Sequence, residues 1–145
     1  LFRSTEGITD WDLCSVVCGF QIAAVERLRR LCEQSGAKIV LETSWKCMRN
    51  LDEMKRLFSL WRLDSYIVDM TDNEEMFFKE GAIQRYLDAH PAVENYVILD
   101  DISMRKAFPG HDVVTPDILD EESYRQALHI LNHWTKELGH EHHLP

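Results

Sequence analysis

Glycine and proline are scarce in this chain of 145 residues, at six and four. That excludes a collagen-like repeat and long low-complexity linkers. No apolar run approaches the roughly 18 residues that a membrane-spanning helix requires. Residues 1–30 also lack the continuous apolar stretch of a signal peptide. No membrane partner is therefore expected. Bases are outnumbered: 16 Lys and Arg face 25 Asp and Glu, a net charge of −9 with His neutral. Net charge alone works against non-specific binding to nucleic acid, although Lys46, Arg49, Lys55, Arg56 and Arg62 form a local basic cluster. Cysteines are few and irregular: Cys14, Cys18, Cys32 and Cys47. With 45% apolar residues the chain can build a core without disulfides, so free thiols and a cytoplasmic location are expected. Cys14 and Cys18 lack the second paired motif of a zinc site.

What is present is an alternation of helical and extended patterns, read as one domain over residues 1–145. Residues 1–19 are an irregular loop, 20–138 the core and 139–145 a tail with His140, Glu141, His142 and His143. Over 20–34, Ala24, Val25, Leu28, Leu31 and Cys32 share one helical face, and Ser35-Gly36 supplies the stop. Residues 37–44 read as a buried strand. Asn50, with Glu53 three positions on, marks a helix start. Leu51, Met54, Leu57, Phe58 and Trp61 follow at helical spacing. Further expectations are a strand over 65–70, a helix over 79–89 ended by His90-Pro91, and a strand over 96–101. A short strand over 112–115 and a helix over 121–138 capped by Asp120 complete the chain. This order implies an α/β fold with a mostly parallel sheet and helices on both faces. In such sheets chemistry gathers at the carboxyl ends of the strands.

That rule selects Thr43-Ser44, Asp69 to Thr71, Asp100-Asp101 and Thr115. Adjacent carboxylates after a buried strand are costly unless a cation compensates them, and Mg²⁺ suits oxygen ligands. A solvated turn is the alternative for the same dipeptide. Hydroxyls at Thr43 and Ser44 suit a phosphate oxygen, and Lys79, opening a helix, suits phosphate charge. Their plain alternatives are a polar strand exit and a surface lysine. Hydroxyl, lysine and paired acids together fit Mg²⁺-dependent phosphoryl transfer.

Three segments, in this order, resemble the haloacid dehalogenase (HAD) superfamily of phosphohydrolases. The likeness is to its compact, uncapped group, found alone and in multidomain RNA-repair proteins. Gly36-Ala37-Lys38-Ile39-Val40-Leu41-Glu42-Thr43-Ser44-Trp45-Lys46 is similar to the group's GAKIVLSSSWR segment. Lys79-Glu80-Gly81-Ala82-Ile83-Gln84-Arg85-Tyr86-Leu87 resembles its helix with a leading base. Tyr96-Val97-Ile98-Leu99-Asp100-Asp101 resembles its YVILDD strand, and His111-Asp112-Val113-Val114-Thr115 fits the strand that follows. The resemblance implies a three-layer α/β/α Rossmann-like fold without a cap. Thr43 or Ser44 would be the phosphate-binding hydroxyl and Lys79 the cation that steadies nucleophile and phosphoryl group. Asp100 and Asp101 would be the acids that hold Mg²⁺. The substrate would be a phosphorylated small molecule or a nucleic-acid phosphate end.

The chain departs from that group at its first motif, a strand ending Asp-x-Asp-Gly whose first Asp attacks phosphorus. Asp10-Trp11-Asp12 has the spacing, but Gly7-Ile8-Thr9 is no buried strand and Leu13-Cys14 offers no Gly. By the resemblance, that strand lies between those at 37–44 and 95–101, and is expected to precede Leu1. The chain as written is then expected to be inactive. The alternative functions are a HAD-like binding or regulatory domain without a nucleophile, or a receiver-like signalling module.

Overall fold

The computed structural model describes residues 22–43, 48–75 and 78–141, with residues 133–141 as helical backbone only. The expectations for the loop over 1–19, Asp10, Asp12, Cys14, Cys18, Ser44, Trp45, Lys46 and Cys47 lie outside these residues. So do those for His142 and His143, and for the side chains of His140 and Glu141.

Helix α1 spans Ile22–Ser35 and strand β1 Ile39–Leu41. Helix α2 spans Leu51–Ser59, and a 3₁₀ turn over Asp64–Tyr66 leads into β2, Ile67–Met70. Helix α3 is Lys79–Ala89, β3 is Ile98–Asp100, β4 is Asp112–Val114 and α4 is Glu121–Glu141. The element order is the one expected from the sequence.

The helix ends follow local chemistry. Gly36 takes φ +73°, and its N–H donates to Cys32 O at 2.9 Å, closing α1. Asn50 and Glu53 form the reciprocal capping box of α2, with Glu53 N to Asn50 Oδ1 at 2.9 Å. At its other end Arg62 adopts φ +57°, and Leu63 N–H reaches back to Phe58 O at 3.1 Å. This is a Schellman-type closure with a non-glycine residue at its left-handed position. Asp120 Oδ1 accepts from Ser123 N–H at 2.8 Å, capping α4.

Among the described residues the strands form two separate parallel pairs, β1–β2 and β3–β4. A single continuous sheet is not seen among them. This alters one expectation. The segment over 37–44 is not a fully buried strand; Ile39, Val40 and Leu41 are all half-buried. Among the described residues each strand is paired along one edge only. The strands are also shorter than the spans expected from the sequence, because a ladder extends only as far as its partner.

Three apolar clusters hold the elements. Val25, Met54, Leu57, Phe58, Leu63 and Ile67 pack α1 and α2 against the β1–β2 pair. Leu31, Val113, Tyr124 and Ala127 pack α1 and α4 against the β3–β4 pair. Ile98, Met104 and Phe108, with Ile83 and Leu87, place α3 against β3 and the loop after it. Helix α1 therefore contributes to the clusters of both strand pairs. Its outer side adds Arg27 and Arg30 ion pairs to Glu121 at 3.2 and 3.1 Å. Such exposed pairs contribute little.

Cys32 is buried in α1, and its thiol is pushed up to about 11, chiefly by burial, with Lys38 pulling the other way. A raised acidity constant starves the thiol of nucleophilic thiolate near neutrality. At pH 8, alkylation of Cys32 by iodoacetamide should be at least roughly 100-fold slower in the folded protein than in urea. Peptide mass mapping reads this site apart from the other cysteines. Equal rates in both states would contradict the burial.

Candidate active site

The exits of β1 and β2 lie together, and the exits of β3 and β4 lie at the start of α3. Parallel pairing puts the ends of β1 and β2 together, with Thr71 N–H donating to Leu41 O at 3.0 Å. Helix α3 begins after the β2 exit loop. Its first residue, Lys79, places Nζ 2.8 Å from Asp100 Oδ2 at the end of β3. Thr115 N–H donates to Asp100 O at 2.8 Å, which brings the exit of β4 to the same place.

Asp100 is held from three directions. Oδ2 accepts from Lys79, and Oδ1 accepts the Ile102 N–H at 3.1 Å in a tight turn after the strand. Its main-chain carbonyl takes the Thr115 N–H, the third hold on this residue. Burial pushes the Asp100 carboxyl up, but the hydrogen bonds with Asp101, Lys79 and Ile102 outweigh it and hold the group below its ordinary value. Its side chain is only 9% exposed, against 32% for Lys79. Asp101 is exposed. Phe78, at the N-cap of α3, gives the helix no side-chain cap, and the amino-terminal end of a helix dipole favours an anion.

Thr43 is half-buried just past the end of β1. Ser44 lies outside the described residues. The structure thus joins Lys79 and Asp100 directly, with Asp101 next in the chain, while Thr43 lies at the exit of the other strand pair.

The family described as the HAD domain in Swiss Army Knife RNA repair proteins matches residues 3–119. The chain belongs to this family. It is a HAD-like domain of the phosphohydrolase superfamily, with an α/β architecture of helices and small parallel sheets. No curated protein and no solved structure matches it.

Two features of this HAD domain escaped the sequence reading. Arg85 of α3 makes a two-pronged ion pair with Asp72, 2.8 Å on each prong, and a 3.3 Å contact to Glu74. This ties the exit of β2 to the flank of α3 and so fixes where the helix, and Lys79, begins. The Thr71 hydroxyl also donates to Glu42, linking the exits of β1 and β2. The available signal was helical spacing: Phe78, Gly81 and Arg85 fall at i, i+3 and i+7, with a glycine between two large side chains.

A cavity of about 300 Å³ opens elsewhere, lined by Ala37, Asn95 and Leu131 among others. These residues precede β1 and β3 or sit on α4, so this cavity belongs to the amino-terminal edge and not to the chemistry. No helix among the described residues is long and apolar enough to cross a membrane.

Proposed function

We propose that this domain is a Mg²⁺-dependent HAD-type phosphatase, hydrolysing phosphate monoesters through an aspartyl-phosphate in the full-length protein. The substrate is a phosphorylated small molecule or a nucleic-acid phosphate end, the second in keeping with the RNA-repair context of the family. The observation that carries this reading is the Lys79–Asp100 contact at 2.8 Å, with Asp101 next in the chain, at the exit of β3.

The donor set suits Mg²⁺. Among the described residues no group of three or more His, Cys, Asp or Glu gathers. Mg²⁺ commonly takes one or two carboxylates and completes its shell with water and substrate phosphate. Asp101, the more exposed acid, suits direct coordination, and Asp100 suits support through its buried position. When bound, Mg²⁺ neutralises charge on nucleophile and phosphoryl oxygens.

The chain's own residues divide the remaining work. Thr43, with Ser44 next to it, donates a hydroxyl to a phosphate oxygen. Lys79 and the uncapped turn of α3 draw the phosphate in and offset the charge that grows during transfer. Asp100 orients the Lys79 ammonium. The nucleophile is the first Asp of an Asp-x-Asp motif, which belongs to no described residue.

The test is hydrolysis of an aryl phosphate by the full-length protein. Activity should vanish with EDTA and return with Mg²⁺, and Asp101→Asn should raise the Mg²⁺ requirement by about 10-fold or more. Undiminished turnover in EDTA would remove the metal assignment. Phosphate-ester binding without turnover would assign the domain to recognition.

A further inference from the structure

Two large apolar side chains flank the ion pair in the sequence and stand in solvent. Phe78, immediately before Lys79, is 51% exposed, and Ile102, immediately after Asp101, is 58% exposed. Single exposed apolar residues are common on protein surfaces and need no explanation by themselves.

Phe78 is also held in place. A Cβ built on Gly81 would lie 2.6 and 2.9 Å from its Cδ1 and Cε1 atoms, so the ring edge rests on the glycine backbone. Arg85 Nη1, 3.2 Å from that same position, bounds the ring on the next turn, and Arg85 is itself fixed by Asp72. Any residue larger than glycine at 81 would displace the ring. The result is a braced, half-exposed phenyl on the residue that precedes Lys79 and the first turn of α3. A ligand that satisfies all three carries a phosphate and a flat aromatic ring on one short frame.

We propose that Phe78 is a stacking platform for the base of a nucleotide whose phosphate lies at Lys79, with Ile102 as a second apolar wall. The inference rests on the phosphatase reading for the position of the phosphate. It narrows the substrate class to nucleotides and nucleic-acid ends, and makes Phe78 a specificity residue. An alkyl or sugar phosphate has no ring to place there.

Calorimetric binding of three probes tests this: the non-hydrolysable phosphonate analogues of AMP and of glycerol phosphate, and adenosine. Stacking on an aromatic side chain commonly changes affinity by about 10-fold or more. The wild-type protein should bind the AMP analogue about 10-fold more tightly than the glycerol phosphate analogue. Phe78→Ala should erase that preference and leave the glycerol phosphate analogue unchanged, while Phe78→Trp should retain it. Equal affinity for the two analogues, or equal weakening of both by Phe78→Ala, overturns the platform. Lys79→Ala separates this from the phosphate assignment. If Lys79→Ala spares both analogues while Phe78→Ala weakens adenosine, the platform stands and the phosphate site falls. If Lys79→Ala weakens both alike while Phe78→Ala has no selective effect, the phosphate site stands and the platform falls.

Discussion

Asp100→Asn should lower turnover of a phosphate monoester by about 10²–10³-fold or more in the full-length protein, the range typical of removing one preorganised electrostatic contact. The substitution keeps the shape of the side chain, so an oxygen remains for the Ile102 N–H and the strand exit is undisturbed. What it removes is the charge that orients Lys79 at 2.8 Å and, by the proposed assignment, helps hold the cation. Lys79→Met attacks the same pair from the other side. It should also cost about 10²–10³-fold in turnover, and it leaves the mostly buried Asp100 carboxylate without its ammonium. The two variants should differ in stability. Asp100→Asn should unfold in urea close to the wild type, while Lys79→Met should lose about 1–3 kcal/mol, the cost of a buried polar group left without its partner. Kinetics at saturating Mg²⁺ with matched urea curves read both effects. Retention of more than half the wild-type turnover by Asp100→Asn would refute its role.

Met54→Ala should remove about 2–5 kcal/mol of stability. Met54 is fully buried and packs with Val25, Leu57, Phe58, Leu63 and Ile67. These residues come from two helices, a turn and β2, so a void there loosens the whole packing of the β1–β2 pair. Flexible thioether neighbours of a cavity can settle into it, but here the lining is mostly branched or aromatic and cannot follow. Domains of this size hold only about 5–15 kcal/mol in total. One truncation at this position therefore takes a large share. A control at Val68, on the exposed side of β2, should change stability by less than about 0.5 kcal/mol when replaced by Thr. Urea midpoints decide the matter, and a Met54→Ala loss below about 1 kcal/mol would show that this cluster collapses freely.

Much of this protein was legible in its sequence because the deciding interactions are local. The start of α2 depends on Asn50 and Glu53, three positions apart, and the stop of α1 on Gly36 alone. The acids Asp100 and Asp101 stood out because they end an apolar run. Charge at a strand exit has few explanations.

Contacts across the chain were not legible. The pairing of β1 with β2 and of β3 with β4, and the edges it leaves half-open, depend on which elements reach each other in space. Side-chain spacing says nothing of that. Lys79 and Asp100 are 21 residues apart, and only the packing of α3 against β3 brings the ammonium onto the carboxylate. The Arg85–Asp72 tie and the bracing of Phe78 on Gly81 arise the same way. By itself the sequence determined which chemical groups end the strands and where helices start and stop, because caps and periodicity act within a few residues. Tertiary structure alone decided which of those groups meet, because opposite charges and apolar faces find partners only once the elements have docked.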